Sequence, residues 1–166
     1  MTRALNVVLG LIVVVLVVWL GAFAVRGSLA APGLTPAEEL SEDLSDIRQG
    51  ARAEAVAFLT LDYRRMDEVT ARVLAGATGP FKKQYASSVK TLQQAAVSQD
   101  SLAKGYVKEI GVGTFDRDSA TVFVSAGSKV KNKGTKGKVE DRTWRIRFNM
   151  TKVDDRWLVS QLEFVG

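Results

Sequence analysis

The side chains able to do chemistry are few. The 166 residues contain neither histidine nor cysteine. Without cysteine there are no disulfides, iron–sulfur clusters or thiolate nucleophiles, and no lipid attachment through an N-terminal cysteine. Without histidine the commonest metal ligand is missing, and so is the side chain that titrates nearest neutral pH. The chain is therefore a poor candidate for a metalloenzyme or a histidine triad, and no metal or cofactor is expected. Carboxylates remain. An isomerase or dehydratase built on them needs an acid inside an apolar cavity with a shifted pKa. Most acids here fall in predicted turns or on the polar face of one helix, leaving Glu54 and Asp62 as the two candidates. Asp62 and Asp67 lie where one predicted helix ends and the next begins. Each can cap a helix, pair with Arg64 or Arg65, or act as an active-site carboxylate.

Two charged clusters could recognise a partner. The net charge is +5. Lys129, Lys131, Lys133, Lys136 and Lys138 alternate with Gly134 and Gly137 in a predicted loop. One reading is a flexible, solvated hairpin whose lysines keep a sheet edge soluble. The other is a contact with lipid headgroups or an acidic protein. Nucleic acid is not expected, because no aromatic residue in the loop can stack on a base and no arginine can grip phosphate or guanine in two places. The second cluster is acidic: Glu38, Glu39, Glu42, Asp43 and Asp46 share a helix face. It reads as a solvated face with favourable charges in the first helical turn, or as a docking site for a basic partner.

These groups need a frame, and the frame begins in a membrane. Residues Ala4 to Val25 carry no charge and lie between Arg3 and Arg26. A bilayer core needs about 20 helical residues. Its central Leu, Ile and Val residues each favour insertion by about 0.3–0.6 kcal/mol. Trp19 falls near the second interface. The apolar run is longer than the ~7–15 residues of a signal-peptide core, so an uncleaved anchor is expected over a cleaved signal at the small residues near Ala24 or Ala31. A short N-terminal tail and the acidic stretch that follows predict a cytoplasmic N-terminus and an extracytoplasmic domain on a single-pass plasma-membrane protein. The expected organisation is tail and anchor over 1–26, linker over 27–35, and one domain over 36–166.

In that domain Thr35-Pro36-Ala37-Glu38 is a helix start with a capping box. Leu40, Leu44, Ile47, Ala51, Ala55, Phe58 and Leu59 follow at helical spacing. A short second helix is predicted over 67–75. A third begins at Pro80, with Phe81, Tyr85, Val89, Leu92 and Ala96 on its buried stripe. After Asp100 the pattern alternates, predicting strands at 105–115, 119–126, 142–152 and 156–165. In the third of these Trp144, Ile146, Phe148 and Met150 share a face opposite Arg145, Arg147, Asn149 and Thr151. Asp154-Asp155 marks a tight hairpin. The expected fold is α+β: three helices packed on a curved four-stranded antiparallel sheet. The order resembles the nuclear-transport-factor-2-like, or cystatin-like, cone. Many such cones enclose a pocket, for which Tyr63, Phe81, Tyr85, Trp144, Phe148 and Trp157 are the candidate lining residues, with core packing as the alternative.

Three segments carry a family resemblance: Leu59-Thr60-Leu61-Asp62-Tyr63-Arg64-Arg65-Met66-Asp67, Thr78-Gly79-Pro80-Phe81-Lys82-Lys83-Gln84-Tyr85, and Arg156-Trp157-Leu158-Val159-Ser160. In order and spacing they resemble the Mce-associated membrane proteins of actinobacteria over nearly the whole chain. Asp155 departs from the glycine common before the Arg-Trp pair. The resemblance implies an accessory subunit of Mce systems, which import lipids such as fatty acids or sterols. Such a subunit stabilises or assembles the complex, with Mce subunits and the bilayer as partners, and no catalytic role. A pocket in the cone keeps open a lipid-binding module. An isomerase- or dehydratase-like enzyme is the least favoured reading.

Overall fold

The computed structural model describes residues 35–166. The predicted tail, anchor and most of the linker lie outside the described residues. Among the described residues, no helix is long and apolar enough to cross a membrane. The sheet and the sites discussed below belong to one compact unit, Ser41–Gly166.

Helix α1 spans Pro36–Leu59. Its capping box forms: the Glu38 N–H donates to Thr35 Oγ1 at 3.3 Å, and the Thr35 N–H donates to Glu38 Oε2 at 2.7 Å. Ile47, Ala51 and Ala55 recur every four residues and are fully buried. Alanine at two of these steps lets the helix backbone lie close to what it covers. The helix gives way at Thr60, whose Oγ1 accepts the Gly105 N–H at 3.1 Å. Strand β1, Leu61–Asp62, follows, then helices α2, Met66–Gly76, and α3, Gly79–Ser98. Gly79 sits at φ +51° and Pro80 occupies the first turn of α3, where it has no N–H to waste.

Strands β2 (Leu102–Phe115), β3 (Ser119–Lys131), β4 (Glu140–Val153) and β5 (Arg156–Phe164) complete a sheet with order β1-β2-β3-β4-β5. All pairs are antiparallel. The sheet has five strands rather than the four expected. The extra strand, β1, pairs only Leu61 with Ala103 and Asp62 with Leu102, and two residues are too few to show an alternation. Strand β3 also runs past the expected stop at Ala126. Gly127-Ser128 reads as a turn, yet Gly127 is needed inside the ladder: a Cβ there would lie 2.4 Å from the Tyr106 ring. Lys129 and Lys131 are therefore strand residues, and only Lys133, Lys136 and Lys138 belong to the loop.

The alternation of β4 holds. Ile146, Phe148 and Met150 are buried, and face Val124, Val122 and Ala120 of β3. Asp154 and Asp155 both take positive φ, 48° and 59°, as a two-residue hairpin of the primed type requires. Aspartate tolerates this conformation, so Asp154 and Asp155 can hold the positive φ that the turn demands. A bulge in the β4–β5 pairing leaves Ser160 unpaired in the register, and its Oγ donates to the Asn149 carbonyl at 3.0 Å.

Candidate functional site

The helices and the end of the sheet leave a groove of about 410 Å³. Phe58 and Thr60 come from the end of α1 and the turn after it, Met66 and Val69 from the first turn of α2. Phe81, Gln84, Tyr85, Ser88 and Leu92 come from one face of α3, at the i, i+3, i+4, i+7 and i+11 positions that share a stripe. Leu162 and Phe164, two apart on β5, close the other side. The floor is aromatic. Phe58 lies 6.0 Å from Phe81, 6.2 Å from Tyr85 and 6.2 Å from Phe164, all tilted ring to ring. Such pairs contribute about 0.5–1.5 kcal/mol beyond area burial. Phe164 stays 54% exposed and Leu92 38% exposed, so the rim is apolar and open to solvent.

Of the six aromatics expected to line a pocket, the structure brings Phe81 and Tyr85 into this groove. The other four lie elsewhere. Phe148 is fully buried in the core of the sheet. Trp157 is buried too, with the Lys152 ammonium 5.8 Å from its ring. Trp144 is half-buried beside the groove, donating Nε1–H to Ser128 Oγ at 2.9 Å and packing its ring 5.5 Å from Phe164. Tyr63 lies past β1, where its N–H donates to the Ser101 carbonyl and the Arg64 guanidinium sits 5.9 Å from its ring. Sequence reading did not name Phe58, Leu162 and Phe164 as lining. The signals for them existed: Phe58 sits on the α1 stripe, and Leu162 and Phe164 alternate along the last strand.

The two acid candidates have opposite environments. Glu54 sits one turn before Phe58, 2% exposed, with no cationic partner. Its Oε1 has no hydrogen-bond partner. Burial pushes its carboxyl up to about 8, so it is mostly neutral at pH 7. Its Oε2 packs onto Gly76 at the end of α2. Burial raises the Tyr85 hydroxyl, and Glu54's charge, when present, adds to the rise. Glu54 itself is not among the groove's lining residues. Asp62 is gripped by Arg64, with Nε at 2.8 Å and Nη2 at 2.7 Å, and accepts the Arg64 N–H at 3.0 Å. Arg65 approaches to 3.7 Å. The Arg64 hydrogen bonds hold the Asp62 carboxyl down to about 2, leaving it an ionised acceptor and a weak base. The pairing read for Asp62 is present, with both Arg64 and Arg65. Asp67 caps nothing: its Oδ1 accepts the Gln93 amide at 2.9 Å, joining α2 to α3.

The charged clusters are partly consumed by the fold. The segment expected to be an open, flexible loop is internally bonded. Thr135 is buried, its N–H donating to Asn132 Oδ1 at 2.9 Å and its hydroxyl lying 2.6 Å from the Lys138 carbonyl. Lys133 reaches Asp100 at 3.2 Å and the Ser98 carbonyl at 2.8 Å. Lys136 takes φ 52° and Gly137 φ 76°. Lys129 lies directly across from Lys104 on β2 and Asp141 on β4, and Lys131 across from Leu102. On the acidic side, Glu38 is spent on the cap, and hydrogen bonds from Thr35 lower its carboxyl. Asp43 meets Lys152 at 3.4 Å. Glu39 and Glu42 are exposed. Among the described residues no group of three or more acids could hold a metal ion.

A family model described as "Uncharacterized protein Rv1363c/MT1408-like" matches residues 7–166. The "Uncharacterized protein Rv1363c" of Mycobacterium tuberculosis is 26% identical over 129 residues, covering 78% of this chain. The chain spans about half of that relative, 49% of its length. Solved structures share the fold at low identity. CagV, a VirB8 homolog of the type IV secretion system of Helicobacter pylori, matches with TM-score 0.59 at 5% identity, covering 74% of this chain and 98% of CagV. The periplasmic domain of DotI matches with TM-score 0.57 at 11% identity, covering 82% and 99%. A ketosteroid isomerase-like protein from Erwinia carotovora atroseptica matches with TM-score 0.50 at 21% identity, covering 75% and 98%. The α+β fold is thus shared with secretion-system domains and with an isomerase-like protein, at identities that carry the fold alone.

Proposed function

This chain belongs to the Rv1363c/MT1408-like family, and from that footing we propose that it is a membrane-tethered accessory subunit that works by binding. Its system is an Mce-type lipid importer of the cell envelope, which it assembles or stabilises from the outer side of the plasma membrane. The observation that carries this reading is the chemistry of the groove: its walls hold no ionisable acid or base apart from the Tyr85 phenol. On a cone of this kind, proton-transfer chemistry needs an acid or base projecting into the cavity. Glu54, the acid with the raised pKa, is turned against Gly76 instead. Supporting it are the charge-free stretch Ala4 to Val25, the three segments that resemble Mce-associated proteins, and the occurrence of this fold in the periplasmic domain of DotI.

The test is recovery of the tagged full-length protein from native membranes, with mass spectrometric identification of what accompanies it. Mce subunits or their permease should co-purify in fixed proportion. Recovery of the protein alone, under conditions that keep the importer intact, overturns the reading.

The groove's open apolar volume favours a second reading, in which the domain holds a lipid or other small apolar ligand. About 300–1,000 Å³ is the usual size of a small-molecule site, and this one is about 410 Å³.

A further inference from the structure

The walls of the groove specify a ligand more narrowly than "apolar". No lining residue carries a full charge at neutral pH. Around the aromatic floor stand three neutral polar groups whose hydrogen-bonding capacity is not consumed by the fold. Thr60 Oγ1 accepts the Gly105 N–H, which leaves its O–H free to donate. The Tyr85 hydroxyl is half-buried and makes no hydrogen bond among the described residues, and the Gln84 carboxamide likewise makes none. Ser88 differs: its hydroxyl is committed to the Gln84 carbonyl at 2.8–2.9 Å, as is that of Ser87. Glu54, the acid whose charge acts on the Tyr85 hydroxyl, is buried and uncharged in the main at neutral pH. An ionised head drawn into such a site would leave water and find no counter-charge, which is costly. A hydroxyl or carbonyl would find donors and an acceptor.

We propose that the groove binds a single uncharged amphiphile: a hydrocarbon body lying on Phe58, Phe81 and Phe164, with one hydroxyl or carbonyl head meeting Thr60, Gln84 or the Tyr85 hydroxyl. This rests on the ligand-site reading of the groove and names its ligand. Size separates this occupant from a protein partner. A stable protein interface covers about 800 Å² per partner, whereas a volume of about 410 Å³ is that of a small-molecule site. Charge separates it from phospholipid headgroups and fatty-acid anions.

The full-length protein, reconstituted in phosphatidylcholine vesicles, is photolabelled with one diazirine-bearing hexadecyl chain carrying three different heads: hydroxyl, sulfate or trimethylammonium. Each head has a fixed charge state across the working pH range. Labelled peptides are mapped by mass spectrometry. The hydroxyl probe should modify residues of the groove at least about tenfold more than either charged probe, since burying an unpaired ion is strongly unfavourable. Excess unlabelled hexadecanol should suppress that labelling. Ser88→Trp, which fills the groove from α3, should abolish it. Equal labelling by all three heads overturns the uncharged class. Groove labelling that unlabelled hexadecanol does not suppress, or no groove labelling at all, overturns the site. The suppression is read on the unsubstituted protein, so it stands even if Ser88→Trp misfolds. Loss of this result with normal co-purification of importer subunits leaves the accessory role intact, and the converse holds as well.

Discussion

Glu54 and Gly76 are fitted to each other: a Cβ placed on Gly76 would lie 2.0 Å from Glu54 Oε2 and 3.0 Å from its Cδ. The carboxylate is the end of a flexible side chain, but it is 2% exposed and has no open space to retreat into. Gly76→Ala should therefore destabilise the domain by about 1–3 kcal/mol, as overpacking does, against the ~1 kcal/mol of helix propensity that alanine would otherwise gain. Glu54→Ala in the same molecule should remove most of the penalty attributable to the clash. Denaturant unfolding of the four members of the cycle measures the coupling, and additive effects would show that the two residues do not meet.

The same carboxyl predicts a pH dependence. Its folded pKa is raised from an ordinary 4.5 to about 8. The folded state thus holds the proton more tightly than the unfolded chain. Glu54's contribution is fully present below pH 4.5, shrinks as pH rises, and is lost once pH passes about 8. The slope in that window approaches about 1.4 kcal/mol per pH unit. Glu54→Gln should flatten the stability profile between those limits and raise the melting temperature above pH 8. A wild-type melting temperature that is level from pH 5 to 9 would mean that the carboxyl is solvated.

Fragment 35–166 should fold by itself, as a soluble domain with one cooperative thermal transition. Helices α2 and α3 and the sheet belong to the single unit Ser41–Gly166, and its core is continuous from Ile47 to Val159. Aggregation of the fragment without a sharp transition would count against an independent domain. Within it the two sheet tryptophans should differ. Trp157 is 5% exposed, so Trp157→Ala should cost about 3–5 kcal/mol. Trp144 is half-buried and held by Ser128 and Phe164, so Trp144→Ala should cost less, about 1–3 kcal/mol. Equal melting temperatures for both variants would contradict this placement.

Legibility in the sequence followed the length of the signal. Three helices, four long strands, the Thr35–Glu38 capping box and the Asp154-Asp155 hairpin were readable because each repeats a pattern over several residues or needs particular turn residues. Strand β1 was not, since two residues carry no period. Gly127 misled, because a glycine that makes room for a neighbouring ring looks the same in sequence as one that makes a turn. The groove was half legible. Phe81 and Tyr85 lie on a helix stripe, but whether an alternating aromatic on a strand faces a filled core or a gap depends on where the helices end. Phe148 and Phe164 occupy the same face of adjacent strands, one fully buried and the other 54% exposed. Asp62 was legible as a paired acid from Arg64 and Arg65 beside it. The neutral state of Glu54 was not, because it follows from burial alone.

The proposed role requires tethering and a surface, and no single acid. Glu54→Gln and Asp62→Asn nearly preserve shape. In a deletion strain complemented with each variant, lipid uptake should stay within about twofold of wild type, whereas loss of a catalytic acid or base typically lowers a rate by about 10²–10⁴-fold. Asp62→Asn weakens the Arg64 pair, so its protein level is measured alongside uptake. Replacing residues 1–34 with a cleavable secretion signal should instead reduce uptake strongly. A tethered domain meets a membrane partner at roughly millimolar effective concentration, and a released one is diluted. Partner levels should fall in parallel, because a subunit deprived of its binding partner loses the stabilisation that mass action supplies. If either carboxamide variant abolishes uptake while its own level and those of its partners stay normal, the acid is doing chemistry and the accessory role is wrong. If release of the domain leaves uptake unchanged, the tether is dispensable and the partner is a soluble one.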